Sequence, residues 1–431
     1  MTIDRRTFLN TTVVGAVAVP AIARSAFAAG NDRLGLGVVG CGGRGTGAAF
    51  NAISASPDID IVAIGDLYAD RLNSSRSHMG KLNERMKVTD DDCYTGWNAY
   101  QQVMARPDVD IVILATPPHF RPEHFRHAIA SGKHVFMEKP VAVDPAGIRK
   151  VIAAAAQADA KNLSVVAGTQ RRHEACYLDA MRRIRDGEIG EPVSACCYWN
   201  QGGLWSHDRQ PDWTDMDWQL RNWLYFTWLS GDHITEQHVH NLDATNWALG
   251  AHPVKATGMG GRQTRIEPRF GHGFDHFAID YEYPGGIHAM SMARQADGCV
   301  GRVEEIIQGT KGRSVTSSGR ARFEGGPSWT FENDNPNPYV VEHHDLHASI
   351  RGEQPRLNEG QRIAESTLTA IMGRMSAYSG KTITWDEAMN ADLDMTPPQY
   401  AFGTLATPVI ARPGTTSMDD ELWPQSDEVT A

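Results

Sequence analysis

Residues 34–45 read LGLGVVGCGGRG. The apolar run Leu34–Val39 predicts a strand, the pattern G-x-G-x-x-G follows it directly, and the Ala-rich stretch beyond predicts a helix. In this setting Gly40 permits a tight turn, Gly42 lets a pyrophosphate approach the backbone, and Gly45 allows close packing of helix on strand. The stretch therefore predicts a dinucleotide-binding unit with an anion site at the N-terminus of the helix.

A second apolar run, from Ile61 to Gly65, ends in Asp66, about 20 residues after the glycines, where a ribose-binding acid belongs. A carboxylate at this position binds a 2′-hydroxyl and repels a 2′-phosphate by a few kcal/mol, for ~4 Å and an effective dielectric of ~20. Arg44 and Arg71 offset part of that repulsion. We therefore expect NAD as the cofactor, with NADP as the alternative.

Helical and strand patterns alternate beyond Asp66. We expect helices at about residues 97–105 and 122–131 and strands at residues 109–115, 134–137 and 164–167. Such alternation predicts a doubly wound parallel sheet. Thr116, Pro117 and His119 follow one of these strands, and ligands bind at the carboxyl ends of the strands in such sheets.

Composition excludes several classes of protein. The 431 residues include 41 Lys and Arg against 52 Asp and Glu, without long runs of one sign, and this argues against a nucleic-acid partner. The six cysteines contain no C-x-x-C pair and are expected to be free, mostly buried thiols. The H-E-x-x-H and G-x-S-x-G signatures are absent from the sequence, and we expect no metal site and no serine hydrolase.

The first 28 residues have the composition of an export signal, with a basic start, a mildly apolar stretch from Thr11 to Ala23 and Ala-Phe-Ala at 26–28. Arg5 to Leu9 resemble the twin-arginine consensus. We expect export to the periplasm by the twin-arginine machinery. No stretch of the sequence reaches the ~20 apolar residues of a membrane span.

GCGGRG at 40–45, Thr116 with Pro117, and GKHVFMEKP at 132–140 together resemble the Gfo/Idh/MocA oxidoreductases, named for glucose-fructose oxidoreductase and inositol dehydrogenase. The resemblance implies an α/β fold, with a Rossmann doubly wound parallel sheet before an α/β domain whose open, mostly antiparallel sheet often mediates oligomers. The expected divisions are a signal at 1–28, a Rossmann domain at 32–163, a substrate and oligomerisation domain at 164–395 and a tail at 396–431.

The same resemblance places functional residues. The family's second signature maps onto Glu236, His240 and Asp243, with Glu in place of the usual Asp and His238 in place of a common Gly. If residues 232–249 form one helix, positions 236, 240 and 243 share a face. The residues assigned to the cofactor are Gly40, Gly42, Gly43, Arg44, Gly45, Asp66, Thr116, Pro117, His119, Glu138 and Lys139.

A catalytic hypothesis follows from the chemistry of carbinol oxidation. His240 is assigned as the general base, since a base titrating near ambient pH suits removal of a hydroxyl proton. Glu236 is expected to fix the tautomer of His240, and Lys139 to hydrogen-bond the reacting oxygen. The alternative for His240 is a buried structural histidine.

The substrate is expected to be a carbohydrate, because seven tryptophans between Trp199 and Trp247 stand among polar residues, and aromatic faces beside hydrogen-bonding groups suit sugars. Core packing is the alternative for those around 218–228. The residues assigned to the substrate are Arg171, Arg172, Trp205, Trp213, His238 and Asp243. His343, His344 and His347, at the start of a late helix, are expected on the surface.

Export constrains the catalytic cycle, because free nicotinamide nucleotide is scarce outside the cytoplasm. We therefore expect a tightly bound cofactor in a homo-oligomeric enzyme that oxidises a sugar or cyclic polyol. The alternative is an NAD-dependent glycosidase that oxidises, eliminates and re-reduces. A third class is a non-catalytic nucleotide or sugar sensor.

Overall fold

The structure is a computed structural model that describes residues 33–417. The predicted export signal at 1–28 and the last part of the predicted tail, from residue 418, lie outside the described residues.

The N-terminal part of the described chain forms a six-stranded, wholly parallel sheet in the order β3-β2-β1-β4-β5-β6. Its strands are β1 (Leu34–Val39), β2 (Ile59–Asp66), β3 (Cys93–Thr95), β4 (Ile111–Leu114), β5 (His134–Met137) and β6 (Val165–Ala167). Its helices are α1 (Gly43–Ala55), α2 (Ala69–Met79), α3 (Ala99–Ala105), α4 (Arg121–Ala130) and α5 (Pro145–Ala160). Every residue of β1 and β4 is buried, as both faces of a covered parallel sheet require. The prediction of a doubly wound sheet is confirmed.

The C-terminal part contains a nine-stranded sheet in the order β14-β13-β12-β11-β7-β10-β9-β8-β15, antiparallel except between β10 and β7. Its strands are β7 (Pro192–Gln201), β8 (Lys255–Gly261), β9 (His276–Tyr283), β10 (Ile287–Gln295), β11 (Arg302–Gly309), β12 (Arg313–Ser317), β13 (Arg320–Glu324), β14 (Trp329–Thr330) and β15 (Thr382–Thr384). Alternate residues of β9 are buried, which is typical of an antiparallel sheet covered on one face. The prediction of an open, mostly antiparallel sheet is confirmed.

The remaining α-helices of the described chain lie in its C-terminal part. They are α6 (Ala175–Arg185), α7 (Asp215–Arg221), α8 (Thr227–Ser230), α9 (Asp232–Glu236), α10 (Val239–Leu249), α11 (Pro338–Arg351), α12 (Gly360–Ser379) and α13 (Trp385–Asn390). Almost all of α12 is buried, because it packs on α5 of the first sheet and on β8 of the second. This helix therefore joins the two sheets into one core.

Two expectations about helices were wrong. Residues 232–249 do not form one helix, because α9 ends at Glu236 and α10 begins at Val239. The break changes the direction of the side chains, so positions 236 and 240 do not share a face. His343 and His347 are buried, since α11 packs against the first sheet and the His343 ring stacks on Phe136 at 4.0 Å.

The tryptophans, the cysteines and the helix lengths can also be compared with the sequence expectations. The tryptophan-rich stretch around 218–228 contributes to the core at Trp228, whose ring is fully buried. The six cysteines are free, and Cys41, Cys176 and Cys197 are buried. Among the described helices, none combines the length and apolar character that a membrane span requires.

Candidate functional site

A cavity of about 410 Å³ lies at the carboxyl edge of the parallel sheet, where β1 and β4 diverge. Ligands of doubly wound folds bind at this switch point. Most of its lining comes from the loops after β1, β2, β3 and β4. Among the lining residues assigned from the sequence are Gly40, Gly42, Gly43, Arg44, Asp66, Thr116, Pro117 and Trp205.

The glycine loop has the shape of a phosphate cradle. Gly40 has a φ of 96°, in the region that favours glycine. A Cβ at Gly45 would lie 1.8 Å from the carbonyl oxygen of Gly40, so only glycine fits where α1 crosses β1. Helix α1 begins at Gly43 without a side-chain cap, and its first N–H groups remain available to an anion. The residues present thus fit the pyrophosphate of a dinucleotide.

Asp66 is buried and fixed in position. Its Oδ2 accepts a hydrogen bond from the Cys41 N–H at 2.6 Å, and its Oδ1 accepts one from the Tyr68 N–H at 2.9 Å. Burial raises the pKa of the Asp66 carboxyl, although both N–H groups and Arg71 oppose that rise. A carboxylate oxygen accepts more than one bond, so Asp66 retains capacity for a ribose hydroxyl.

Four of the residues assigned to the cofactor, Gly45, His119, Glu138 and Lys139, lie outside the cavity lining. Gly45 allows α1 to pack closely where it crosses β1. The carboxylate of Glu138 binds Arg44, with Oε1 at 2.5 Å from Nε, and Lys139 binds Glu236. Arg44 therefore connects the cavity to the loop after β5.

His119 also lies outside the cavity lining, which corrects its assignment to the cofactor. Residues Pro118–Phe120 form one 3-10 turn, and Phe120 faces the cavity in place of His119. The Nε2 of His119 lies 2.7 Å from the Tyr400 hydroxyl, and its ring packs on the edge of Trp228 at 5.0 Å.

The sequence analysis missed most of the aromatic lining, which comprises Tyr68, Trp97, Tyr100, Phe120, His124, His207 and Trp223. Trp97 and Phe120 could have been assigned to the site from the sequence, because each follows a strand of the parallel sheet and precedes a helix. Trp223 was considered for sugar contact with the other tryptophans but was not assigned to the site, and His207 had no signal because it reaches the cavity from the second half of the chain.

Lys139 and Glu236 form one unit. The Lys139 ammonium lies 3.0 Å from Glu236 Oε1 and also donates to the Glu236 carbonyl oxygen. Both side chains are 13% exposed. Glu236 therefore orients Lys139, and the expectation that it fixes the tautomer of His240 is corrected. The break between α9 and α10 is the physical reason.

His240 is a buried neutral base. Burial, together with the nearby Lys139 and Arg171 cations, lowers the pKa of His240 well below its usual value, and Asp243 opposes this only in part. Its Nδ1 has no hydrogen-bond partner among the described residues. The ring stacks on Trp199, with centroids 5.8 Å apart. His240 lies outside the cavity lining, and an imidazole in this state is neutral at ordinary pH and releases an acquired proton readily.

Four residues assigned to the substrate are instead paired inside the protein. Arg171 is buried against Glu305, and His238 Nε2 lies 2.7 Å from the Ser291 hydroxyl. The guanidinium of Arg172 donates to both Asp243 oxygens, at 2.8 and 3.0 Å. The Arg172–Asp243 pair holds α10 against its neighbour, and all four residues lie outside the cavity lining, so their assignment to the substrate stays a prediction.

The two assigned tryptophans differ. Trp205 lines the cavity and is 43% exposed. Trp213 lies outside the cavity lining, and the Arg221 guanidinium sits 5.3 Å from its ring centroid. Only Trp205 is placed to meet a ligand in this cavity.

Asp243 is the most heavily bonded carboxylate of the site. Burial alone would raise the pKa of Asp243, but Arg172 and Arg362 bring it well below its usual range, and Ser366 donates at 2.7 Å. Asp243→Ala leaves two cations without this partner. Breaking a buried pair costs about 3–5 kcal/mol, and since both arginines are partly exposed we expect a loss of about 2 kcal/mol in the free energy of unfolding.

Urea denaturation followed by circular dichroism measures that loss. The matched control is Glu123→Ala, which removes an exposed carboxylate paired with Arg126 and should cost about 0.5 kcal/mol. Equal stability of the two variants would contradict the role of Asp243.

Buried neutral histidines predict acid lability. Burial lowers the pKa of His119, His124 and His272 to about 3 and that of His134 and His347 to about 4, against ~6.5 in the unfolded chain. The unfolded state binds more protons below pH 6.5. The stabilisation is therefore complete above pH 6.5 and falls by up to about 1.4 kcal/mol per pH unit for each histidine as pH drops towards 4.

The check is the free energy of unfolding between pH 7.5 and 4.5. His347→Gln should lower the slope, whereas His344→Gln, whose side chain is 62% exposed, should leave it unchanged. A pH-independent free energy across this range would refute the prediction.

Comparison with known proteins identifies two family models that match the chain. The family model described as "Oxidoreductase family, NAD-binding Rossmann fold" matches residues 34–166, and that of the "GFO/IDH/MocA C-terminal domain" matches residues 177–315. These two matches together cover more than half of the chain.

Two relatives illustrate the likeness. The 2,7-anhydro-N-acetylneuraminate hydratase of Escherichia coli is 30% identical over 207 residues, covering 47% of this chain and 50% of the relative. The scyllo-inositol 2-dehydrogenase (NAD(+)) of Bacillus subtilis is 25% identical over 223 residues, covering 52% and 56%. The match thus spans about half the length of these relatives.

Among solved structures, the aldose-aldose oxidoreductase from Caulobacter crescentus superposes with a TM-score of 0.64 at 21% identity, covering 82% of this chain and 99% of that one. At this identity the likeness shows the fold. Since both halves of the chain match models of one family, the chain belongs to the Gfo/Idh/MocA oxidoreductases.

Proposed function

We propose that the protein is an exported NAD(P)-dependent oxidoreductase that removes hydride from a carbinol carbon of a sugar or cyclic polyol. The observation that carries this proposal is the position of Arg44. Arg44 lines the dinucleotide cavity and binds Glu138, the residue before Lys139, so the cradle and the acid–base residues form one site.

Gly40, Gly42, Asp66, Thr116 and Pro117 would hold the dinucleotide, which supplies the hydride acceptor when bound. Asp66 supports NAD over NADP, because its buried carboxylate disfavours a second negative charge nearby. Arg71 lines the same cavity, and its positive charge offsets part of the repulsion of a 2′-phosphate. NADP is therefore the alternative.

Lys139 is the proposed electrophilic residue. Its ammonium carries three protons, and the carboxylate and carbonyl oxygens of Glu236 engage it from one side. A remaining proton is free to hydrogen-bond the reacting oxygen and to stabilise negative charge as it develops there. Glu236 acts as a positioning residue.

His240 is the proposed general base. The hydroxyl proton of the substrate passes to the neutral imidazole while hydride leaves the carbon. Because burial disfavours the imidazolium, His240 returns the proton readily when the second substrate is reduced. This reversibility suits a cycle in which oxidation and reduction alternate.

The carbohydrate class rests on the cavity wall formed by Trp205, His207 and Trp223, where aromatic faces adjoin hydrogen-bonding groups. The dehydrogenase relative named for scyllo-inositol supports the same class.

Export and tight cofactor binding complete the proposal. The twin-arginine pattern at Arg5 and Arg6 supports a route that carries folded proteins, often with the cofactor in place. The outer face of the nine-stranded sheet exposes Met259, Met290 and Met292, and such an apolar face suits a second copy of the chain. We therefore propose a periplasmic homo-oligomer.

A redox-neutral activity is the second candidate, and the relative named as a hydratase favours it. In this cycle the bound dinucleotide would take hydride from a ring carbon of a glycoside, the aglycone would leave by elimination, water would add to the double bond so formed, and the same hydride would return to the ring.

Incubation of the purified protein with aldoses, inositols and aryl glycosides, without added nucleotide, distinguishes these activities. A keto-sugar or alditol supports oxidoreduction, and released phenol supports the glycosidase. The absence of every product would overturn both and favour a sensor.

A further inference from the structure

The tail crosses the outside of the cavity and is fixed at both ends of the crossing. At one end the Met395 N–H donates to Asp144 Oδ2 at 2.8 Å. At the other the Leu405 N–H donates to Asp215 Oδ2 at 3.0 Å, and the Leu405 side chain is buried. We call residues 396–405, between these anchors, the strap.

The strap carries two aromatic side chains against the cavity wall. The ring centroid of Phe402 lies 5.9 Å from that of Tyr68 and 5.6 Å from that of Trp97. The Tyr400 ring lies 5.7 Å from Trp97 and 5.9 Å from Phe120. These distances lie within the range of favourable aromatic pairs.

The three contacted residues all line the cavity. Tyr68 and Trp97 stand next to Asp66 in the fold, since Tyr68 N–H donates to the Asp66 carboxylate and Gly96 N–H to its carbonyl oxygen. In dinucleotide-binding folds the acid after the second strand binds the adenosine ribose. The strap therefore supports the adenosine end of the site.

Three further contacts hold this wall in place. The Tyr400 hydroxyl lies 2.7 Å from His119 Nε2, which explains why His119 turns away from the cavity. Tyr68 is held on its other side by the Arg221 guanidinium, 3.9 Å from its ring centroid, and by Asp217, 3.2 Å from its hydroxyl.

We propose that the strap retains the dinucleotide, with Tyr400 and Phe402 as positioning residues that hold Tyr68, Trp97 and Phe120 closed over the adenosine end. This inference rests on the proposed function. A dinucleotide leaving on this side has to displace the aromatic wall, and the strap resists that displacement. Retention is thus built into the chain itself.

The test uses purified protein loaded with NAD, desalted, and sampled over time for bound nucleotide by chromatography. The Tyr400→Ala/Phe402→Ala variant should release NAD about tenfold faster or more, and Phe402→Tyr should keep the wild-type rate. The matched control is truncation after Ala406, which removes the rest of the tail but leaves the strap.

Thermal unfolding midpoints measured without nucleotide distinguish a role in nucleotide retention from a role in folding. A merely structural role would lower the midpoint and leave the rate of NAD release unchanged. If the double variant fails to fold, Phe402→Leu, at a side chain 47% exposed, provides the same comparison. Equal release rates in wild type and strap variants would overturn the strap alone. Wild-type protein that binds neither NAD nor NADP would overturn the proposed function as well.

Discussion

A Lys139→Ala variant is expected to lose about 10²- to 10⁴-fold in turnover, the range for acid–base groups, while it still holds nucleotide. The ammonium that Glu236 orients would be gone, and the developing alkoxide would have no positive charge beside it. Among the described residues, no hydrogen bond joins Lys139 to the glycine loop or to Asp66, so the amount of nucleotide bound per chain should be unchanged.

Steady-state turnover and nucleotide content per protein chain are the two measurements. Lys81→Ala is the matched control, because this exposed lysine lies far along the chain from the loop after β5. Glu236→Gln should lower turnover less than Lys139→Ala, since the carbonyl oxygen still holds the ammonium. Near-wild-type turnover in Lys139→Ala would remove Lys139 from the mechanism.

His240→Ala is expected to lose a similar factor, about 10²-fold or more, because the neutral imidazole beside the Lys139 charge, with its Nδ1 unbonded among the described residues, would be gone. His240→Asn separates chemistry from structure, since it retains a polar side chain of similar reach but accepts no proton at neutral pH. We expect His240→Asn to unfold at nearly the wild-type urea concentration and to be as inactive as His240→Ala.

The measurements are turnover and urea denaturation on the same preparations. His344→Ala, on the exposed side of α11, is the control. A variant that is destabilised yet turns over normally at low temperature would show that His240 is a structural histidine.

The cofactor half of this site could be predicted because its determinants are local. The turn at Gly40, the crossing at Gly45 and the position of Asp66 each depend on a strand and the few residues after it. A parallel strand buried on both faces is also a continuous apolar run, which is why β1 and β5 were placed at their observed bounds.

The half of the site that lies outside the cofactor loops could not be predicted from the sequence, because its geometry depends on contacts between segments distant in the chain. Glu236 binds Lys139 rather than His240 since a two-residue break rotates α9 relative to α10, and no spacing rule predicts that break. Arg172 and Asp243 looked available to a substrate, but they face one another across 71 residues of chain. His119 likewise pairs with Tyr400, 281 residues away.

The most direct test is mass spectrometry of the nucleotide released by denaturing the purified protein, before and after incubation with the active sugar. The account predicts NAD in nearly every chain, with the oxidised form converted to the reduced form by the sugar. Protein that emerges empty, and takes up neither NAD nor NADP when either is supplied, would contradict it.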